Sequence, residues 1–202
     1  MAGESLFAAL VRRRRMIRNF TDESVPAAAV DQLLDLARRA PSAGNTQGLA
    51  FVVLEGADTA RYWDVTLPSA RRSRFRWPGL FQAPVLVIVC CSPDAYLTRY
   101  GEPDKAATGL GAGASAWPVP YWWVDAGAAA EHVLLGAAEA GLGACLFGAF
   151  DHEPAVLAAL GVPPGWRAAA TIALGHPAPD EPGRSAARPR RPLGEVVHRG
   201  GW

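Results

Sequence analysis

Apolar residues recur at helical spacing in the first part of the chain and again after residue 121. In the amino-terminal stretch, Leu6, Ala9 and Leu10 lie on one side of a helix predicted from Ser5 to about Arg15. A second helix is predicted to start near Pro26, which suits a first-turn position, and to stop at Pro41. Its apolar positions are Val30, Leu33, Leu34 and Ala37.

Short β-branched runs predict buried strands at Leu49–Glu55 and Val85–Cys91, and a further strand at Arg167–Leu174. A long helix from Trp122 to Ala140 is apolar nearly all round, so we expect it to be central or at a subunit interface. The following GLGACLFGAF predicts a short strand and a tight turn bracketed by glycines.

The intervening segments are less regular. The basic and aromatic stretch from Tyr62 to Gln82 is interpreted as helix, and the glycines and prolines of Tyr96–Tyr121 predict a loop or lid. Helices outnumber strands without a regular βαβ order, so the predicted class is α+β.

Composition restricts the domain number, the location and the classes of partner that we expect. The 202 residues are 50% apolar, enough for one domain with a sizeable core. The net charge of +1 gives no general argument for nucleic acid. No apolar stretch is long enough to span a bilayer, the amino terminus lacks the apolar core of a signal peptide, and the three cysteines match neither a disulfide framework nor a metal site. We therefore expect a cytoplasmic protein with no nucleic-acid or membrane partner.

Local charge is more informative than net charge. Arg12, Arg13, Arg14, Arg15 and Arg18 lie at the end of the first predicted helix, within RRRRMIRNF. Guanidinium groups match phosphate oxygens in bidentate geometry, so the cluster suits a small anionic ligand. The alternative from the residues alone is a solvated basic helix face.

Four segments together resemble the FMN-dependent nitroreductases, in family order and spacing. The first is Arg14 to Phe20, the second APSAGNTQ (Ala40 to Gln47), the third Asp125 to Phe150, and the last the closing RRPLGEVVH. The resemblance implies a nitroreductase-like α+β fold, with a central mixed or antiparallel sheet flanked by helices in an intertwined homodimer. It also implies one domain over 1–202, with a lid or insert at about 96–121 and a tail at about 176–202 that wraps the partner.

The resemblance also implies the cofactor site. Two FMN molecules would lie at the subunit interface, with Arg14, Arg15 and Arg18 holding the phosphate and the pyrimidine edge of the flavin, joined by Arg188 and Arg190. Met16 stands where the family usually has a small hydroxyl residue, so only its backbone could serve. Residues that would reach the partner's flavin are Pro41, Ser42, Ala43 and Asn45. The turn expected against the flavin ring is Leu146, Phe147, Gly148 and Ala149, with the Gly148 N–H directed to the ring nitrogen that accepts hydride.

Family chemistry is two-electron transfer from NADH or NADPH to a small electron-poor acceptor such as a nitroaromatic, quinone or enone, with ping-pong kinetics and no protein acid or base. No metal site and no catalytic side chain are expected, and the four histidines are interpreted as structural or exposed. Two alternatives stay open. One is another flavin chemistry on the same fold, as an oxidase, a dehalogenase, a flavin-degrading or a deazaflavin-linked enzyme; the other is a flavin-binding carrier or sensor without turnover. The aromatic residues Trp117, Tyr121, Trp122 and Trp123 could line the substrate face or pack under the lid.

Overall fold

A four-stranded sheet forms the centre of the protein, in a computed structural model that describes residues 4–181 and 183–202. Its strands are antiparallel throughout and adjoin in the order β1-β2-β4-β3. The bounds are β1 Leu49–Glu55, β2 Val85–Cys91, β3 Gly143–Phe147 and β4 Arg167–Gly175. The predicted α+β class is confirmed, and of the two kinds of central sheet that the resemblance implied, mixed or antiparallel, the structure has the antiparallel one.

Seven α-helices surround the sheet in the described part of the chain. They are α1 Leu6–Arg13, α2 Ala27–Ala37, α3 Thr59–Thr66, α4 Ser69–Arg72, α5 Pro93–Tyr100, α6 Tyr121–Glu139 and α7 Glu153–Ala159. Ser5 caps α1 by accepting a hydrogen bond from the Ala8 N–H at 3.2 Å. None of the described helices is both long enough and apolar enough to cross a membrane.

The two faces of the sheet bury separate apolar clusters, because alternate residues of a strand point to opposite sides. Val87, Val89 and Ile172 face α2 and α6 on the first side. Leu86, Ile88 and Ala173 face α3 and α7 on the second side, where Tyr62, Trp63 and Val156 fill the core. Helix α6 is central, as its apolar sequence predicts, with nine buried residues along its length.

The chain after α1 runs along the outer edge of β3. Met16 forms a parallel bridge with Ala144, and the Ile17 N–H donates to the Ala144 carbonyl at 2.9 Å. Phe20 in turn bridges Pro177, which follows β4. The segment that carries the predicted arginines is therefore fixed between a strand edge and the start of the carboxyl-terminal tail.

Three predictions of local structure need correction. The helix expected over 62–82 is interrupted at Pro68 and Pro78, because proline lacks the N–H a helix interior requires; α3, α4 and a 3₁₀ segment, Pro78–Gln82, replace it. The start of the predicted loop at 96–121 is helical, since Ser92 caps α5 and Pro93 occupies its first turn. Helix α7 was not predicted.

All three cysteines are free and buried. Burial raises the pKa of Cys90 to about 11 and, with the neighbouring thiol as a further cause, that of Cys91 to about 12. Burial also raises the pKa of Cys145, so each thiol stays protonated near neutral pH.

Candidate functional site

The loop between α2 and β1 is anchored to α6 by one buried carboxylate. Asp125 accepts a hydrogen bond from the Ala43 N–H at 2.9 Å and another from the Tyr96 hydroxyl at 2.7 Å. The pKa of Tyr96 is raised well above its usual range, first by burial and then by the hydrogen bond to this carboxylate. One carboxylate oxygen of α6 therefore accepts hydrogen bonds from both the α2–β1 loop and α5.

This loop has an unusual backbone. Gly44, Asn45 and Gln47 have φ values of 62°, 54° and 54°, in the left-handed region that residues other than glycine seldom adopt. The Ser42 hydroxyl accepts from the Gln47 N–H at 3.0 Å, and Arg99 donates to the Gly44 carbonyl at 2.9 Å. Such strain persists where surrounding contacts hold it, and it is concentrated at functional sites.

Arg14 and Arg18 lie at the edge of β3, against opposite faces of the sheet. Arg14 approaches Glu131 of α6 at 3.6 Å on the first face, while Arg18 lines a pocket on the second face. One terminal nitrogen of Arg14 is buried without a hydrogen-bond partner. Between them, the Met16 sulfur accepts a hydrogen bond from the Leu146 N–H at 3.5 Å, which joins this segment to the turn after β3.

The turn forms one wall of that pocket, which has a volume of about 360 Å³. Phe147 stacks on Trp63 with ring centres 5.7 Å apart, and the Arg18 guanidinium lies 5.1 Å from the centre of the Trp77 ring. The lining is largely apolar and aromatic, the character of a site for a flat organic molecule. Residues lining the pocket include Arg18, Tyr62, Trp63, Phe75, Trp77, Leu146, Phe147, Gly148, Ala149 and His152.

Gly148 is half-buried in this turn, and its N–H donates to no other residue in the described part of the chain. Phe150, two residues later, has a φ of 48° and is 83% exposed. An exposed aromatic ring on a strained backbone beside an available N–H is a feature of a binding turn rather than of a packed corner.

The other arginines that were predicted to contact the flavin, Arg15, Arg188 and Arg190, are all exposed. Arg15 is exposed and turns back to the Arg12 and Arg14 carbonyls, at 2.5 and 3.0 Å. Arg188 and Arg190 are exposed on the tail and form no hydrogen bond or ion pair within residues 4–181 and 183–202. The structure therefore joins Arg14, Met16 and Arg18 to the turn at 146–149, and it records no bond between these residues and the tail arginines in the described part of the chain.

Several contributors were not predicted from the sequence. Asp125 is an acid within an apolar helix, and that exception to the pattern was the available signal. Nothing in the sequence indicated that Trp63, Phe75 and Trp77 line a pocket, because aromatic residues are common in any core. Of the aromatic residues at 117–123, Trp117 and Trp122 are buried, whereas Tyr121 is exposed. Trp117 donates to the Leu110 carbonyl at 2.9 Å, and its ring lies 4.7 Å from that of Tyr100. No group of three potential metal ligands occurs among the described residues.

Comparison with known proteins decides the family. The model of the nitroreductase family matches residues 11–176, which is most of the chain. The chain belongs to the nitroreductase family. A relative from Nocardioides, 4-nitrobenzoate reductase, is 29% identical over 95% of this chain and 88% of its own. An Archaeoglobus fulgidus protein assigned as an NADH dehydrogenase/NAD(P)H nitroreductase is 25% identical over 83% of each chain.

A solved structure supports the same assignment. A Desulfovibrio desulfuricans protein assigned as a nitroreductase, in complex with FMN, aligns with a TM-score of 0.71 and 27% identity over 99% of each chain. The resemblance drawn from four short segments, and the assignment to a family of oxidoreductases, are therefore confirmed.

Proposed function

We propose that this nitroreductase binds FMN and transfers two electrons from NADH or NADPH to an electron-poor acceptor of the nitroaromatic, quinone or enone type. The observation that carries the proposal is the connection between Arg14, Met16, Arg18 and the turn at 146–149 along one sheet edge. Support also comes from the FMN complex of one solved relative and the nitroreductase assignments of others.

The residues present fit FMN. A partnerless buried nitrogen on Arg14 suits a phosphate oxygen, since a guanidinium donor without an acceptor is costly to bury. The apolar pocket suits a fused aromatic ring, and the available Gly148 N–H suits a ring nitrogen. Arg14 and Arg18, on opposite faces of the sheet edge, would then hold the phosphate and the pyrimidine edge respectively.

The loop at 41–47 supports a homodimeric site. From the resemblance of this loop to the second family motif, we propose that Ser42 and Asn45 act on the partner's flavin; neither lines the pocket of its own chain. Helix α1 has no buried residue, and its apolar side chains Leu6 and Phe7 are 91% and 66% exposed. Exposed apolar side chains of this size favour a covering partner. We further propose that the tail at 176–202 wraps that partner and brings Arg188 and Arg190 to its phosphate.

Bound FMN would supply the two-electron chemistry, accepting hydride from the nicotinamide and passing electrons to the second substrate. The protein's part is binding and orientation. Arg18 would hold the ring edge, the Gly148 N–H would bind the ring nitrogen, and the stacked Trp63 and Phe147 would keep water from the inner wall of the pocket. One pocket serving both substrates in turn predicts ping-pong kinetics. Buried free thiols support a cytoplasmic location, where reduced nicotinamides are supplied.

The test is a visible spectrum of the purified protein, followed by anaerobic mixing with NADH or NADPH. We expect a yellow protein that is bleached by a nicotinamide and recoloured by a nitroaromatic acceptor, with parallel double-reciprocal lines at varied acceptor. Protein that neither contains nor takes up FMN contradicts the proposal. Flavin bleached only by a reduced deazaflavin, or released as oxidised fragments, would identify another chemistry of the fold, and flavin that no donor bleaches would identify a carrier.

A further inference from the structure

A second group of arginines borders the pocket on the side away from α6. The segment RRSRFRW, residues 71–77, places Phe75 and Trp77 in the pocket wall and leaves Arg74 and Arg76 exposed beside them. The Arg76 guanidinium lies 4.7 Å from the centre of the Trp77 ring, and Arg18 lies 5.1 Å from the same centre. Stacking on an aromatic ring restrains a guanidinium, and its N–H groups, which point outward in the guanidinium plane, stay free to donate.

Three of the four arginines in this segment have no acidic partner in the described part of the chain. Asp64, the acid closest to the segment in sequence, pairs with Arg72 at 2.7 Å. Asp180 accepts the Arg18 backbone N–H at 2.8 Å. Within residues 4–181 and 183–202, Arg71, Arg74 and Arg76 form no ion pair. The net charge of the chain is only +1, so this positive mouth is a local feature.

We propose that Arg76, assisted by Arg74, binds the carboxylate of an aromatic acceptor at the mouth of the pocket, so that the protein prefers aromatic acids as acceptors. An aromatic wall beside a restrained guanidinium fits a flat ring that carries a planar anion. The FMN phosphate is a less suitable occupant, because Arg14, with its unpartnered buried nitrogen, lies on the other face of the sheet. This inference rests on the proposed electron transfer to an organic acceptor.

The experiment compares 4-nitrobenzoate with its neutral methyl ester, using the FMN-loaded protein. We expect the ratio of kcat/KM for the acid to that for the ester to exceed one and to fall about fivefold in Arg76→Gln, as for one well-placed exposed ion pair. Arg74→Gln should lower it less and the double variant most. Arg76→Lys, which keeps the charge, should retain most of the preference, and raised salt should reduce it in the parent.

Arg71→Gln is the matched control, because it removes the same charge from an exposed position in the same segment that does not adjoin a pocket-lining residue. Equal losses in Arg71→Gln and Arg76→Gln would mean diffuse attraction and would overturn the proposal. So would an unchanged ratio in Arg76→Gln, or a change confined to the preference for NADPH over NADH.

A binding measurement separates this inference from the proposed function. Benzoate and benzamide are titrated into the FMN-loaded protein, and the visible absorbance of the flavin is followed without turnover. We expect tighter binding of benzoate than of benzamide, with the difference reduced in Arg76→Gln and kept in Arg71→Gln. If no acceptor is reduced yet benzoate binds in this way, the proposed function fails and the anion site stands. If acceptors are reduced but benzoate and benzamide bind alike, the anion site fails alone.

Discussion

The phenol of Tyr96 donates a 2.7 Å hydrogen bond to the carboxylate of Asp125, and both side chains are buried. The same carboxylate oxygen accepts the Ala43 N–H, so a helix that crosses the core determines the position of a loop 82 residues earlier in the chain. That loop carries Ser42 and Asn45, which we propose to act on the partner's flavin. The Tyr96–Asp125 pair lies outside the pocket, and through this loop it would position the proposed site.

Replacing Asp125 with alanine should lower the free energy of unfolding by about 3 kcal/mol, because the Ala43 N–H and the Tyr96 hydroxyl lose their acceptor while buried. Tyr96→Phe should cost less, and the double variant should show a coupling of about 1 kcal/mol in a double-mutant cycle. Denaturant unfolding gives the energies. FMN titration of Asp125→Asn should show weakened binding at unchanged far-UV circular dichroism, whereas unchanged affinity would remove Asp125 from the positioning of the loop.

Arg14→Gln should weaken FMN binding much more than riboflavin binding, because it removes a charge-assisted contact to the phosphate and no core volume. We expect about a tenfold loss for FMN, as for one hydrogen bond to a charged group. Equilibrium titration of flavin fluorescence measures both affinities. Arg12→Gln is the control, since Arg12 is exposed and pairs with Glu4 at 2.6 Å. Equal losses for the two flavins would contradict the phosphate assignment.

The sequence predicted what depends on local pattern. The first two strands were predicted with the observed bounds, because continuous apolar runs of this length indicate a strand. Burial was predicted correctly for β2 only: all seven of its residues are buried, whereas in β1, at the edge of the sheet, only Leu54 is. Arg14, Met16, Arg18 and the turn after β3 were predicted to form one site from motif order, and the structure brings them to one sheet edge. The roles of Asp125 and Trp77 could not be predicted in this way, since their contacts join distant parts of the chain. Pro68 and Pro78 interrupt the helix that was predicted over 62–82, and helix α5, which Ser92 caps, was not predicted.

Gly79→Ala should destabilise the pocket wall, because a Cβ there would lie 2.8 Å from the Asn19 Cα and closer still to the Asn19 side chain. The backbone on one side must move, so we expect a loss of about 2 kcal/mol, as for overpacking. Thermal unfolding and FMN titration should both report it, because Asn19 follows Arg18 directly. Gly101→Ala, whose new Cβ would meet nothing closer than 3.4 Å, should unfold much like the parent.

The contacts of Glu153 should account for part of the stability that the protein loses in acid. Glu153 receives two hydrogen bonds from Arg167, at 2.8 and 2.9 Å, and one from the Ala168 N–H at 2.9 Å. The hydrogen bonds from Arg167 lower the pKa of Glu153 below 4.5, so its contribution to stability is present above that pH and is lost as pH falls through the lowered value. Allowing for solvent screening, Glu153→Gln should cost about 1 kcal/mol at pH 7.

The measurement for Glu153 is urea unfolding of parent and variant from pH 7 down to pH 3. The two curves of stability against pH should converge at the acid end. Protonation of Glu153 in the parent removes the same carboxylate charge that the substitution has already removed. A constant difference across the range would show that Glu153 acts through packing instead.

Phe7→Glu should weaken the proposed homodimer, because it places a charge on the exposed apolar side of α1. Sedimentation velocity at decreasing concentration should show dissociation at higher concentrations than for the parent, with loss of FMN in parallel. Ser69→Glu, at an exposed position elsewhere, should leave the sedimentation pattern unchanged. Dissociation constants that agree for the two variants would place the interface away from α1.

Because the three cysteines are buried and protonated, each thiol can react with a reagent only when the structure around it opens. Cys90 and Cys91 lie within a central strand, whereas Cys145 belongs to the wall of the pocket. An alkylating reagent can reach the central pair only when the sheet comes apart, but it can reach Cys145 whenever the pocket breathes. Rates of alkylation, resolved by peptide mass, would therefore separate local opening of the pocket from global unfolding in the unaltered protein.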